Sequence, residues 1–333
     1  MPSFGVLLAL TVLFALAFDY INGFHDTANA IATVVSTRVL TPMQAIIMAA
    51  VLNFAGALFN HGVAQTVASG IVEKSSATET VVLAAVIGGI VWNLITWRFG
   101  IPSSSSHALI GGLVGAGSAH AGLHAIQWKT GVWDKVLIPL VTSPVAGFIL
   151  AFAVMALITA LFRNTNPGTA GPVFKNLQRV SAAAMAYAHG NNDAQKSMGV
   201  ITLALFAHGM IKDTTVPLWV ILACAAAMAF GTAAGGWRII RTMGHKIMRL
   251  EPVNGFAAET SGATIILIAS YLKMPVSTTH VLAGSIFGVG ASKGLHTVRW
   301  TVARQMVVAW ILTIPAAALV AGLAYWLLAL CGA

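Results

Sequence analysis

Residues 101–117 read IPSSSSHALIGGLVGAG, and residues 274–290 read MPVSTTHVLAGSIFGVG. Pro102 aligns with Pro275 at an offset of 275 − 102 = 173. Behind each proline come matching hydroxyl residues, then His107 or His280, then glycines that coincide at 111 and 284, 115 and 288, and 117 and 290. A proline followed by serines or threonines starts a helix. The apolar runs that follow fall short of the roughly 20 residues needed to cross a bilayer. Interrupted helices of this kind are tolerated at membrane depth only where they line a cavity or are buried in protein. Two of them in register indicate a duplicated chain, and paired interrupted segments are the sequence pattern of secondary transporters.

A second pair of motifs supports the duplication. GFHDTANA at 23–30 corresponds to GNNDAQKS at 190–197, with the aspartates offset by 193 − 26 = 167. Between the halves lies RNTNPGTAG, 163–171, composed largely of turn-forming residues. The expected division is a first membrane repeat over 1–162, a linker loop over 163–175 and a second membrane repeat over 176–333. Loop charge suggests how the halves are oriented. The segment 238–249 carries Arg238, Arg241, Lys246 and Arg249, whereas its counterpart near 70–80 carries Glu73, Lys74 and Glu79. Excess Lys and Arg mark cytoplasmic loops, so opposite faces, and hence an inverted repeat, are expected.

Composition agrees with this frame. Of 333 residues, 58% are hydrophobic and 8% charged, against about 25% charged in soluble domains. So few charges cannot cover a water-facing surface, so the bilayer must be the main solvent. Apolar segments fall at about 4–22, 41–60, 79–97, 107–124, 136–162, 197–210, 216–235, 261–272, 280–292 and 303–330. The expected fold is an all-α polytopic helix bundle with an inverted internal repeat and broken or re-entrant helices. The net charge of +9 reads as orientation anchors such as Arg163, Lys175 and Arg179, not as a nucleic-acid surface. Cys224 and Cys331 lie in apolar stretches, and no disulfide is expected. The first apolar stretch lacks a basic leader and is read as a retained helix.

Asp26 and Asp193 occupy matching motif positions and are expected to lie beside interrupted helices. An ionised carboxylate at membrane depth is costly and is normally paired or lines a pathway. Amides accompany both: Asn29 in one half, and Asn191, Asn192 and Gln195 in the other. Carboxylate, amide and main-chain oxygens form the ligand set of a hard cation; a satisfied polar cap between helices is the plainer alternative. The hydroxyl clusters complement them. Helix N-termini bind anions through free N–H groups and the positive dipole end. Two such half-helices facing each other would cradle a small tetrahedral anion, and for each cluster alone an ordinary N-cap is the competing reading. Lys196 would add positive charge or pair with an aspartate. His25 and His189 adjoin the carboxylates, where an imidazole can relay protons or ligate metal. For His107 and His280 a structural and a site role are both open. No P-loop, HExxH or nucleophile-elbow motif is present.

At these motifs the chain resembles the inorganic phosphate transporter (PiT) family, in its bacterial low-affinity form. That family carries GANDVANA-like and HGxNDxQK-like motifs, read here as GFHDTANA (23–30) and HGNNDAQK (189–196). The resemblance implies an inverted-repeat fold, a homodimer and a central phosphate site without a cofactor. It implies that Ser104, Ser105, Ser106, Ser277, Thr278 and Thr279 surround phosphate, together with Asn29, Asn192, Gln195 and Lys196. It assigns cation binding and coupling to Asp26, Asp193, His25, Asn29 and Asn192. His25 stands where the sodium-coupled pattern has Asn, which favours proton coupling over sodium, with phosphate moving alone or as a metal–phosphate complex. The expected protein is thus a multi-pass phosphate:cation symporter of the cytoplasmic membrane. The alternatives are a transporter of another oxyanion such as sulfate or arsenate, a membrane-embedded phosphotransferase, and a passive anion channel.

Overall fold

Thr41, Thr78, Ser104, Asn166 and Ser277 each accept a hydrogen bond from the first turn of the helix they precede, satisfying main-chain donors that a helix start leaves free. These caps set many of the boundaries in the computed structural model, which describes residues 5–332. The outermost ends of the two expected repeats, residues 1–4 and 333, lie outside the described residues. The helices are α1 (Val6–Ser36), α2 (Pro42–Ala57), α3 (Gly62–Gly70), α4 (Glu79–Phe99), α5 (Ser105–Ala121) and α6 (Ile138–Phe162). The second half holds α7 (Pro167–Ala207), α8 (Leu218–Ala234), α9 (Trp237–Arg241), α10 (Pro252–Tyr271), α11 (Thr278–Lys293) and α12 (Trp300–Leu330). A π-helical stretch, Trp128–Leu137, leads into α6, and another, Thr242–Lys246, continues α9.

Among the described residues, four segments are long and apolar enough to cross a membrane: α1, α4, the stretch from Trp128 through α6, and α12. Two more spans are possible if each bent pair counts as one. The α2–α3 pair is bent by 71°, and α8 with its continuation by 60°. Positive φ angles at Asn60 and Gly235 lie at these breaks. As expected from the prolines, α5 and α11 are short helices entered through extended backbone at 101–104 and 274–277.

Packing repeats between the halves. α1 lies on α8 as α7 lies on α2; α5 on α12 as α11 on α6; α1 on α4 as α7 on α10. The equivalent helices α1 and α7 run antiparallel. Thr37, just past the end of α1, donates to Gln178 near the start of α7 at 2.8 Å. At the opposite pole, His208 just past α7 approaches Gly5 before α1. The repeat is therefore inverted.

Glycines permit the closest crossings. A Cβ at Gly111 or Gly115 would sit 2.5 or 2.0 Å from a carbonyl oxygen of α12, and one at Gly284 or Gly288 would sit 2.3 or 2.1 Å from one of α6. The half-helices thus dock backbone to backbone by the small-xxx-small pattern.

Two expectations need correction. The linker expected over 163–175 is reduced to 163–166, because Asn166 caps and Pro167 opens a helix there. Asp26 and Asp193 also do not lie beside breaks. Both sit within continuous helices, α1 of 31 residues and α7 of 41. Their polar residues occupy one face, and the rest of each helix packs normally.

Candidate functional site

Along α1, Asp19, Asn22, Asp26, Asn29 and Thr33 are all buried and recur every three or four residues, so they share one face. Along α7, Gln178, Ser181, His189, Asn192, Asp193 and Lys196 are also buried; apart from the adjacent pair at 192 and 193 they are separated by one or two helical turns and so share one face. The two polar faces meet where α5 and α11 begin.

Asp193 is the hub. One carboxylate oxygen takes the ammonium of Lys196. The other accepts from Thr278 Oγ1 at 3.0 Å and lies 3.2 Å from His189 Nε2. Lys196 also donates to Ser106 Oγ and, at 2.9 Å, to the carbonyl of Val276 in the extended entry to α11. An ammonium has three protons, so each of them has an oxygen. Across the site, His25 Nδ1 lies 2.6 Å from Asp26 Oδ1, and its Nε2 lies 3.0 Å from Thr96 Oγ1. Asp26, His189 and Asp193 each offer a ligand atom, all within 4.8 Å of one another; such an oxygen–nitrogen set suits a cation.

Asn29 donates to Thr278 at 3.1 Å and to Thr279 at 2.8 Å, joining α1 to the start of α11. Asn192 donates to Ser270 Oγ at 2.8 Å. Among the described residues the carbonyl oxygens of both amides lack a partner, as does Ser105 Oγ. The imidazoles of His107 and His280, one turn into α5 and α11, stand 4.9 Å apart. His280 also stacks on Trp310 at 4.0 Å. The two half-helix N-termini therefore face the same small region, with Lys196 between them. Asp26 is 2% exposed and Lys196 1%, so the region is closed to solvent.

Not every expected residue turns towards it. Ser104 and Ser277 act as N-caps, each accepting from the histidine main chain three residues on at 3.2 Å. Gln195 Oε1 accepts from Val63 and Ala64 N–H at 2.9 and 3.2 Å, holding the start of α3. Several partners escaped the sequence reading. Thr96 and Ser103 support His25, and Asn53 lies 3.1 Å from His189. Glu259 on α10 was missed as well; it is fully buried and accepts from Thr33 at 2.5 Å, Gln178 at 3.2 Å and Ser181. The three- and four-residue spacing from Asp19 to Thr33 signals the buried polar face of α1, but not these partners, which lie elsewhere in the chain.

On the α1 C-terminal side, Arg98, Arg238, Arg241 and Lys246 line a cleft with Phe99, Gly100 and Trp237. A smaller cavity beside it reaches Pro102 at the entry to α5.

The chain matches the phosphate transporter family twice, over residues 22–171 and again over 162–321. A probable low-affinity inorganic phosphate transporter of Bacillus subtilis is 47% identical over 97% of this chain and 98% of its own length. One of the same description from Rhizobium meliloti is 48% identical, with 97% of each chain covered. Among solved structures, one described as the sodium-dependent phosphate transporter superposes with a TM-score of 0.90 at 26% identity, covering 98% of this chain and all of the other.

Proposed function

The chain belongs to the phosphate transporter family, and from that premise we propose that it is a phosphate:cation symporter of the cytoplasmic membrane, driven by protons in preference to sodium. It is a transporter and not a phosphotransferase.

The observation that carries the substrate reading is the convergence of α5 and α11 on Lys196. Two helix starts supply positive dipole ends, while Ser105, Ser106, Thr278 and Thr279 supply neutral donors and the ammonium supplies charge. Such donors hold an oxyanion reversibly. Phosphate would enter by displacing part of the present network, since the Lys196 protons are already directed at oxygens.

The preference for protons rests on what fills the cation positions. Carboxylate, hydroxyl and carbonyl oxygens around Lys196 Nζ form a hard-cation ligand set already occupied by a tethered ammonium. His25 Nδ1 likewise stands against an oxygen of Asp26. A divalent metal arriving with phosphate would meet Asp26, His189 and Asp193. Inversion of the halves suits alternating access by rocking of one against the other. The homodimer implied by the resemblance belongs to the same proposal.

A rival oxyanion remains the nearest competitor, because hydroxyl donors do not by themselves reject sulfate. Uptake of labelled phosphate into proteoliposomes with excess sulfate or arsenate separates them. Inhibition by arsenate and indifference to sulfate is the expected result; equal competition by sulfate would sink the phosphate assignment.

A further inference from the structure

Asp19 lies on the polar face of α1 seven residues before Asp26, about 10 Å along the helix axis. It is fully buried. The Ser197 hydroxyl on α7 and the Cys224 thiol on α8 approach its carboxyl, yet among the described residues neither Asp19 oxygen has a partner in hydrogen-bonding geometry. Asn22, one turn further along α1, is 1% exposed and its carbonyl oxygen is likewise unpartnered, as is the hydroxyl of Ser197. A carboxylate, an amide carbonyl and a hydroxyl, none of them in hydrogen-bonding geometry, thus share one closed level of the bundle, where the available donors are a hydroxyl and a weak thiol. A bare carboxylate cannot persist there without a positive charge.

We propose that Asp19 is a second ion site, separate from the Asp26–Asp193 site, and that its ligand is a proton. The inference rests on the symport reading above. A proton joining the carboxylate gives a neutral acid whose O–H becomes a donor, and its release regenerates the carboxylate; no other reactant is needed. The surroundings favour a proton over a metal ion, since a thiol is a poor ligand for hard cations. The charged and titratable groups facing Asp19 are Asp193 and Lys196 on α7 and Cys224 on α8. α2 carries no ionisable side chain. Those of α4, Glu79 and Arg98, lie at its two ends. α9 and its continuation pack along α1 beyond Phe24, on the other side of Asp26.

The placement also provides a coupling. Ser197 adjoins Lys196 and lies one helical turn from Asp193. Phosphate binding brings negative charge to that level, and a proton on Asp19 compensates it. The empty carrier then returns only after the proton has left. Asparagine at this position imitates the protonated acid but cannot release a proton. Such a carrier can still swap phosphate for phosphate, yet it cannot reset.

The test uses the full-length protein in proteoliposomes with labelled phosphate, in two assays: exchange at equal pH on both sides, and net uptake driven by an acidic exterior. Failure of the wild type to exchange phosphate would strike the transport reading itself, before any variant is read. With Asp19→Asn, exchange should persist at reduced rate while pH-driven net uptake falls to background. If Asp19→Asn also loses exchange, Asp19→Glu decides. Recovery of pH-driven uptake by the glutamate upholds the site, and its failure overturns it. Wild-type pH-driven accumulation by Asp19→Asn overturns the proposal, as does a wild type whose net uptake responds to sodium alone and loses that response in Asp19→Asn.

Discussion

Lys196 and Asp193 form an ion pair buried on all sides, and this changes what substitution there should do. Removing one member of a buried pair leaves an uncompensated charge and costs about 3–5 kcal/mol. Asp193→Asn should therefore lower the thermal midpoint in detergent as well as abolish coupled uptake, and Asp193→Asn with Lys196→Met should regain stability without regaining transport. Equal melting of the single variant and wild type would mean that the pair is not closed as described. Ser105 offers a cleaner test of phosphate binding than Thr278, since Thr278 already bonds to Asp193 and Asn29 while Ser105 Oγ has no protein partner. Loss of one hydrogen bond to a charged group is worth about 1.5–3 kcal/mol, so Ser105→Ala should weaken phosphate binding roughly tenfold or more. Unchanged affinity with unchanged folding would reduce Ser105 to a helix-start residue. His25 has two hydrogen-bonding states. Thr96 can give its one proton to His25 Nε2, or to the carbonyl of Trp92 at 3.0 Å; in the second state Nε2 must itself be the donor. His25→Asn removes this choice, so the pH profile of uptake should flatten. A profile identical to wild type would take His25 out of the coupling.

At the scale of elements, the sequence revealed the breaks better than the continuities. Pro102 and Pro275 are each followed by a run of helix-capping hydroxyl residues, so the entries to α5 and α11 could be read directly, whereas Pro144 and Pro315, without such a run, lie inside α6 and α12. The helices that carry the carboxylates were harder. GFHDTANA and HGNNDAQK lower local hydropathy enough to look like interruptions, yet α1 and α7 run straight through them. Their polar residues share one face, so the helical ladder is undisturbed and each helix can hide that face against its inverted twin. A three- and four-residue period carries that information, whereas an average over a window discards it. Gln195 shows another limit: its amide reaches α3, far away in sequence, and nothing local signals that contact. The glycine crossings yield an element-scale prediction. Gly115→Ala and Gly288→Ala place a methyl against carbonyl oxygens of α12 and α6, and overpacking of this kind costs about 1–3 kcal/mol. Both variants should melt earlier than wild type, while Gly171→Ala, where a methyl meets nothing within 4 Å, should not. Wild-type melting of both crossing variants would show that the half-helices are not docked so tightly.

Across the whole molecule, the excess of cations gathers at one pole, although the other also carries lysines such as Lys212. Because α1 and α7 are antiparallel, Arg163, Lys175 and Arg179 near the start of α7 lie at the same pole as Arg38, Arg98, Arg238, Arg241 and Lys246. The opposite pole gathers Glu79 with His208 and, in the loop beyond, Asp213, whose carboxyl is held below its usual range by the Thr215 main-chain N–H. Cytoplasmic loops are enriched in Lys and Arg, so the proposed orientation puts the basic pole, with its cleft near Pro102, on the cytoplasmic side. In the proposed mechanism phosphate moves with a proton through a site in which Lys196 fills a cation position and His25 stands on Asp26. The most direct test of that mechanism is labelled phosphate uptake into proteoliposomes under an inward proton gradient and, separately, an inward sodium gradient at equal pH, with and without Mg²⁺. Accumulation under the proton gradient that collapses with a protonophore, and none under sodium alone, is the predicted result; accumulation under sodium alone with no response to the proton gradient would contradict it.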